Sequence, residues 1–352
     1  MIKPNQKQSV GTNGIAIQSA GDTTVNSGLT LPQMRQIVEC IGDQLPKYAA
    51  IAATIVEDRL KHFEEKIISK FDADQTLKSD AFQDPDFQYL LRNAQHAYAR
   101  SGEDAVAENL AILIGERSKI SGQSRASLSI NKAIECAPLL TKEEISIAAV
   151  SFLIRHVKIT GVPSPQEVGT HYANYLSPFL DDLPSGGNAY LYMESLSCGV
   201  RAMGSLSAVS ALAESYPKSL RVLRTRADLD AATSVEYAQS LIDAGIVFQT
   251  QDGVSVWRDI EGDKEFCSAV DLSGLDKSLS VSGFAATHSH PPNREQVIEK
   301  IEPYFRRVGE FMDHWDNSQL KHWQPSLTGI VIGYSSLKQR CNFDADVSMW
   351  IS

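Results

Sequence analysis

The chain has 352 residues, 43% hydrophobic and 22% charged, the balance of an ordinary soluble globular protein long enough for two or three domains. A net charge of −10 and a pI near 5.3 argue against a general nucleic-acid binder, which needs surplus Lys and Arg against phosphate, while leaving room for a local basic patch. Five scattered cysteines (Cys40, Cys136, Cys198, Cys267, Cys341) without a C-x-x-C pair argue against a disulfide framework or a zinc site and for a reducing, cytoplasmic setting.

The first ten residues are polar and lack the apolar stretch of a signal peptide. Two short β-prone runs, Ile15–Gln18 and Thr23–Asn26, flank a turn at Ala20-Gly21-Asp22. Residues 1–28 are therefore expected to be a tail carrying a hairpin whose apolar residues, Ile15, Ile17 and Val25, are too few to hold it alone. Such a hairpin docks on the body or pairs with copies from other subunits; pairing makes the chain a homo-oligomer.

Thr30-x-x-Gln33 is a capping box with Pro32 in the first turn, so a short helix is expected to run to about Gly42. A second helix is expected from Pro46 to about Phe71. Its stripe, Tyr48, Ile51, Ile55, Val56, Leu60, Phe63, Ile67 and Phe71, does not keep a strict heptad, which favours a brace across a helical domain over one strand of an intersubunit pair.

From Asp84 to Val157 nearly every helix start and stop is written in the residues. Asp84-Pro85 is an N-cap with proline at the first helical position, and Ser101-Gly102 closes that helix. Helices over Asp104–Ser118 and Ser124–Cys136 follow, and Thr141-Lys142-Glu143-Glu144 launches one to Val157. Its apolar run, Ile145–Ile154, is much shorter than the roughly 20 residues a membrane span requires. Ser164-Pro165-Gln166-Glu167 opens another helix, and helical stretches over about Ala189–Gly199 and Ser205–Ser215 complete an all-α domain of residues 29–228. Short connections make neighbours antiparallel.

Past Leu229 the pattern changes. Thr233-x-x-Glu236 is expected to cap a helix ended by Gly245, and Ile246–Trp257 to form a hairpin turning at Asp252-Gly253. Helix then hairpin is the outline of half a winged helix. Strand character at Ser280–Phe284, one long helix over Asn293–Asp313, a helix over Ser326–Arg340 and a strand over Asp346–Ile351 fill out a C-terminal α+β module of residues 229–352. The fold class is thus mainly α: a multi-helix bundle with an N-terminal β-hairpin and a C-terminal winged-helix-like module.

Candidate chemistry is sparse. His288-Ser-His290 is the single close histidine pair and the candidate metal site, with Cys267 or His314 nearest in sequence, but no H-E-x-x-H accompanies it. Lys218, Arg221, Arg224 and Arg226 make the one basic stretch where an anion could be met, against a solvated helix face as the plainer reading. Phosphate-cradling glycine loops, G-x-S-x-G and EF-hand loops are absent, so no cofactor is expected. Trp315, Trp323 and Trp350 fit a core, yet Trp323 and Trp350 are also candidate interface anchors.

Ile17-Gln18-Ser19-Ala20-Gly21-Asp22 followed by a helix resembles the short β motif that opens many bacterial proteins of mobile and defence-associated gene clusters. The stretch Phe82–Leu91, with Ala97–Gly102, Asn131–Ile134 and Leu140-Thr141, is similar to the helical core of a largely uncharacterised bacterial family of about this length. Leu327-Thr328-Gly329 to Gly333 and Ser348–Ile351 resemble its closing motif, with Val331 where the family's usual form has glycine. The resemblance brings no catalytic residues and implies a bacterial cytoplasmic protein of antiviral defence. With the residues it leads to a non-enzymatic sensor or adaptor that self-associates and recruits a second protein, an effector or a phage component. The alternatives are a DNA-binding transcription regulator using the winged-helix-like module, with contacts through Lys321, Lys338 and Arg340, and a metal-dependent hydrolase at His288 and His290.

Overall fold

A computed structural model describes residues 31–250, 253–256, 263–287 and 291–352. The expected N-terminal hairpin, with Ile15, Ile17 and Val25, lies outside them, as do His288 and His290. The chain is mainly helical, a multi-helix bundle with two small antiparallel β elements among the described residues, and it divides into two units, Met1–Glu57 and Asp58–Ser352.

The first helix, α1, runs unbroken from Leu31 to Ala73, so the expected break between Gly42 and Pro46 does not occur. Proline costs a helix one N–H donor and crowds the carbonyl four residues back, here that of Gly42, but the remaining bonds of a long helix carry it through. In the first unit α1 exposes every residue from Leu45 to Glu57.

In the second unit the caps read at Asp84, Thr141 and Ser164 form as expected. The Asp84 carboxylate accepts from the Asp86 N–H at 2.9 Å to start α2 (Pro85–Ser101), which Gly102 ends in the left-handed conformation (φ 68°). Next come α3 (Asp104–Ser118) and α4 (Arg125–Cys136), the latter opened by a reciprocal Ser124–Ser127 box. Capping boxes at Thr141 and Ser164 open α5 (Lys142–His156) and α6 (Pro165–Leu180). The chain continues through α7 (Asn188–Ser195), β1 (Gly199–Arg201), α8 (Ala208–Ser215) and α9 (Pro217–Leu220).

A smaller group follows: α10 (Arg226–Ala232), α11 (Val235–Asp243), β2 (Val247–Thr250), β3 (Gly253–Val256), α12 (Asp263–Leu272) and α13 (Ser280–Thr287). The last helix stands where strand character was expected; Phe284 packs on Phe266, and this tertiary contact overrides a weak local preference. The expected long helix from Asn293 is two, α14 (Arg294–Ile301) and α15 (Val308–Asn317), because Pro303 cannot continue the first. Then come β4 (Trp323–Pro325), α16 (Leu327–Cys341) and α17 (Ser348–Ile351), the last a single helical turn in place of the expected strand.

Two hydrophobic cores result. The larger takes residues from Phe63 to Leu220 and again from Val297 to Ile351; the smaller is confined to Leu229–Ala286. α16 is the axis of the larger core, packing on α3, α4, α5 and α6. Its approach to α5 is so close that a Cβ on Gly333 would lie 2.5 Å from the Ala148 carbonyl oxygen, and one on Gly329 would overlap the Cys198 carbonyl. β1 and β4 pair antiparallel beside it, with Gly199 opposite Pro325 and Arg201 opposite Trp323.

Candidate interaction surfaces

The smaller core positions a compact module. Its opening helix α10 starts at a reciprocal box in which the Thr225 N–H donates to the Asp228 carboxylate at 2.8 Å and the Asp228 N–H donates to the Thr225 hydroxyl at 3.2 Å. Thr233 does not cap α11 as expected: its hydroxyl donates back to the Leu229 carbonyl at 2.7 Å, and Ser234 caps instead, accepting from the Tyr237 N–H at 3.1 Å. Both residues suit an N-cap, so sequence alone misplaces the start by one position. Gly245 (φ 69°) ends α11, with the Ile246 N–H returning to the Leu241 carbonyl at 3.0 Å.

β2 and β3 then pair with Val247 opposite Val256 and Thr250 opposite Gly253. Arg224, just before α10, joins as a third rung: its carbonyl accepts from the Val254 N–H at 2.7 Å. Arg226 pairs with Asp230 one turn on within α10 (2.6 Å) and ties α10 to α11 through the Gln239 amide oxygen (3.0 Å) and the Val235 carbonyl (3.2 Å). The face of α11 turned away from the core shows Val235, Glu236, Gln239 and Asp243, and Phe248 is partly exposed on the hairpin. No Lys or Arg occurs in α11.

The basic stretch lies along the approach to this module. Lys218, Arg221 and Arg224 make no ion pair among the described residues, and the Arg224 Nε is sealed from solvent without a hydrogen-bond partner. Arg221 is exposed, lends its carbonyl to the Lys300 ammonium at 2.5 Å, and borders a cavity of about 480 Å³ with Val209, Glu214, Pro217 and Pro291. Of the other expected cations, Lys338 is held by the buried Glu116, and Arg340, on the surface, is paired with Asp182 (2.9 Å).

Trp315, Trp323 and Trp350 pack in or against the larger core. Trp323 is fully buried, its ring over Gly199 and 5.7 Å from that of Tyr190, so it has no face left for a partner; the interface role expected for it is corrected to packing. Trp350 is partly buried, edge-on to Phe152 at 5.0 Å, with its indole N–H donated to the His156 carbonyl at 2.9 Å. That leaves only a rim of its ring accessible.

The charges of Gly115-Glu116-Arg117 read from the sequence as ion pairs between neighbouring helices, but several of the partners lie too far along the chain to be paired from sequence. Glu116 is buried between the Lys338 ammonium at 2.7 Å and the Lys119 ammonium at 3.0 Å, with the Tyr334 hydroxyl at 3.0 Å. Burial and the Glu116 charge push the Tyr334 phenol well up. Arg117, also buried, donates to Asp86 (2.9 Å), to Asn131 (2.9 Å) and to the Ile120 carbonyl (2.7 Å). Cys136 and Cys198 are both buried with their thiols toward the Leu196 carbonyl; the Cys198 thiol and the Lys132 charge bring Cys136 down to about 7 against burial, and Cys198 is pushed up. His171, against Tyr172 and Tyr175, is lowered to about 4 by burial, its Nε2 without a partner.

None of these groups lines an open cleft with converging acids and bases, and among the described residues no three His, Cys, Asp or Glu gather as metal ligands. Nor is any described helix long and apolar enough to cross a membrane.

The fold and surfaces define a class: a helical body built on a central glycine-bearing helix, with a small α+β module set into it. A family model whose description reads only ":-like" matches residues 28–351, nearly the whole chain, and the chain belongs to that family. No curated protein and no solved structure matches it.

Proposed function

We propose that the chain is a non-enzymatic interaction protein, a cytoplasmic sensor or adaptor of bacterial antiviral (phage) defence that self-associates and recruits an effector protein. The observation that carries this reading is the module of Arg224–Thr287, which has its own core and presents α11 and a hairpin outward. Its order supports a winged-helix likeness: a bridging residue, two helices joined by a tight turn, then a hairpin that pairs back to the bridge. The defence context rests on the family resemblance of the motifs quoted above.

The DNA-binding alternative finds support in Lys218, Arg221 and Arg224, which make no ion pair among the described residues. Against it, the helix that a winged helix lays in the major groove carries Glu236 and Asp243 and no base, which repels phosphate. A protein partner meeting Val235 and Phe248 is the better fit. The test is tagged full-length chain recovered from phage-infected and uninfected cells, beside a Val235→Glu/Phe248→Glu variant. The reading expects one protein to be retained by the wild-type chain and lost by the variant; tight duplex binding that weakens steeply with salt would replace it with the regulator.

A further inference from the structure

The unbroken course of α1 exposes a pattern that a helix beginning at Pro46 hides. Read from Leu31, apolar residues recur at alternating spacings of three and four: Leu31, Met34, Val38, Ile41, Leu45, Tyr48, Ala52 and Ile55. This is a heptad with Leu31, Val38, Leu45 and Ala52 at a, and Met34, Ile41, Tyr48 and Ile55 at d. Its phase is kept across Pro46. By the same count Pro32, Glu39 and Pro46 all fall at b, outside the a and d positions.

Where the side chains are described, the seam is open. Leu45 is 56% exposed, Tyr48 58% and Ile55 45%, and Ile51 at a flanking g position is 58% exposed. A helix of this kind without a packed face is marginal in water, because helices in proteins owe most of their stability to a buried stripe. Among the described side chains, packing within the chain begins where the heptad stops. The next a and d positions are Arg59, which donates to the Ala99 carbonyl at 2.6 Å, and His62, which lies 2.9 Å from Asp104. Phe63 and Ile67 then enter the larger core.

We infer that residues 31–55 form a parallel coiled coil with further copies of this chain. A regular a/d seam is self-complementary, each knob entering a hole made by the same residues of its neighbour, which an irregular apolar stripe is not. Leucine at a (Leu31, Leu45) and isoleucine at d (Ile41, Ile55) favour about three or four strands over two. Apolar Ile37, Ile51, Ala49 and Val56 at e and g widen the seam in the same sense. At roughly 1.5 Å per residue the seam is about 36 Å long, ample for a stable bundle. The proposed tail hairpin of residues 1–28 is a separate surface.

The test is the mass of the full-length chain by light scattering, for the wild type, for Leu45→Glu/Ile55→Glu, and for a tail variant Ile15→Asp/Ile17→Asp/Val25→Asp. The wild type and the tail variant are expected at about three or four times the 38.6 kDa of one chain. The heptad variant is expected to fall three- to fourfold to a single chain, its main thermal transition kept because both positions are exposed. A monomeric or dimeric wild type, or an undiminished heptad variant, overturns the inference. A tail variant that alone dissociates also overturns it, and leaves self-association through the tail standing.

Discussion

Replacing Gly333 with alanine tests whether the larger core is organised around the crossing of α16 and α5. The new methyl would lie 2.5 Å from the Ala148 oxygen, 2.8 Å from the Phe152 Cβ and 2.9 Å from the Ala148 carbon. Ordinary contact requires close to 3.5 Å, so the helices must part by up to an ångström, and two of the three obstructing atoms are backbone and cannot rotate aside. Alanine in a helix interior gains about 1 kcal/mol over glycine. Overpacking a dense core costs about 1–3 kcal/mol, and more when backbone is displaced. The clash therefore wins, with a net loss on the order of 2 kcal/mol. Gly309→Ala in α15 is the internal control: its Cβ would meet nothing nearer than Ile298 Cδ1 at 4.0 Å, so propensity alone acts and stability holds or rises slightly. Urea unfolding followed by far-UV circular dichroism reads both. A Gly333→Ala protein within about 0.5 kcal/mol of the wild type, the ordinary range for surface changes, would refute the close crossing.

Glu116→Ala removes the buried carboxylate that Lys338, Lys119 and the Tyr334 hydroxyl share while leaving the two lysines a path to water, and a loss of about 1–3 kcal/mol is expected in the same unfolding assay. Lys338→Met costs less, since Lys119 still faces the carboxylate. His171 is held neutral to about 4 in the folded chain against 6.5 when free. The unfolded chain therefore takes up a proton first: stability from this group is intact above pH 6.5 and declines as pH falls to about 4. The decline is at most about 3 kcal/mol at roughly 1.36 kcal/mol per pH unit, and His171→Gln should flatten it in pH-dependent melts. Arg117→Met takes the donor from the Ile120 carbonyl and the Asn131 amide oxygen, while the exposed Asp86 carboxylate keeps the Asn131 amide at 3.2 Å, and a melting point lower by several degrees is expected.

The helical frame was legible where capping chemistry is local. Asp84, Thr141 and Ser164 announce α2, α5 and α6 because each cap acts within three residues of itself. Where two neighbours could serve, as at Thr233 and Ser234, local rules cannot choose, and Pro303 was overlooked inside a strong apolar period. The short strands β1 and β4 are over a hundred residues apart, and no local signal joins Gly199 to Pro325. The same holds for Glu116 and Lys338, two well-separated surface-type residues that the fold buries against each other. Trp323 shows the converse: aromatic bulk marks an anchor and a core residue alike, and only burial separates them. The heptad of α1 is present in the residues, but reading it depends on knowing that the helix does not stop before Pro46.

The account's central claim is that this chain holds other macromolecules through the face formed by α11 and the β2–β3 hairpin. Quantitative mass spectrometry of proteins co-purifying with full-length wild-type chain and with Val235→Glu/Phe248→Glu, from phage-infected cells, tests it most directly. The account predicts a protein near stoichiometric amount with the wild type and at least tenfold depleted with a variant that keeps its fold, a loss of about 1.4 kcal/mol or more in affinity. An identical set of partners on both chains would contradict it.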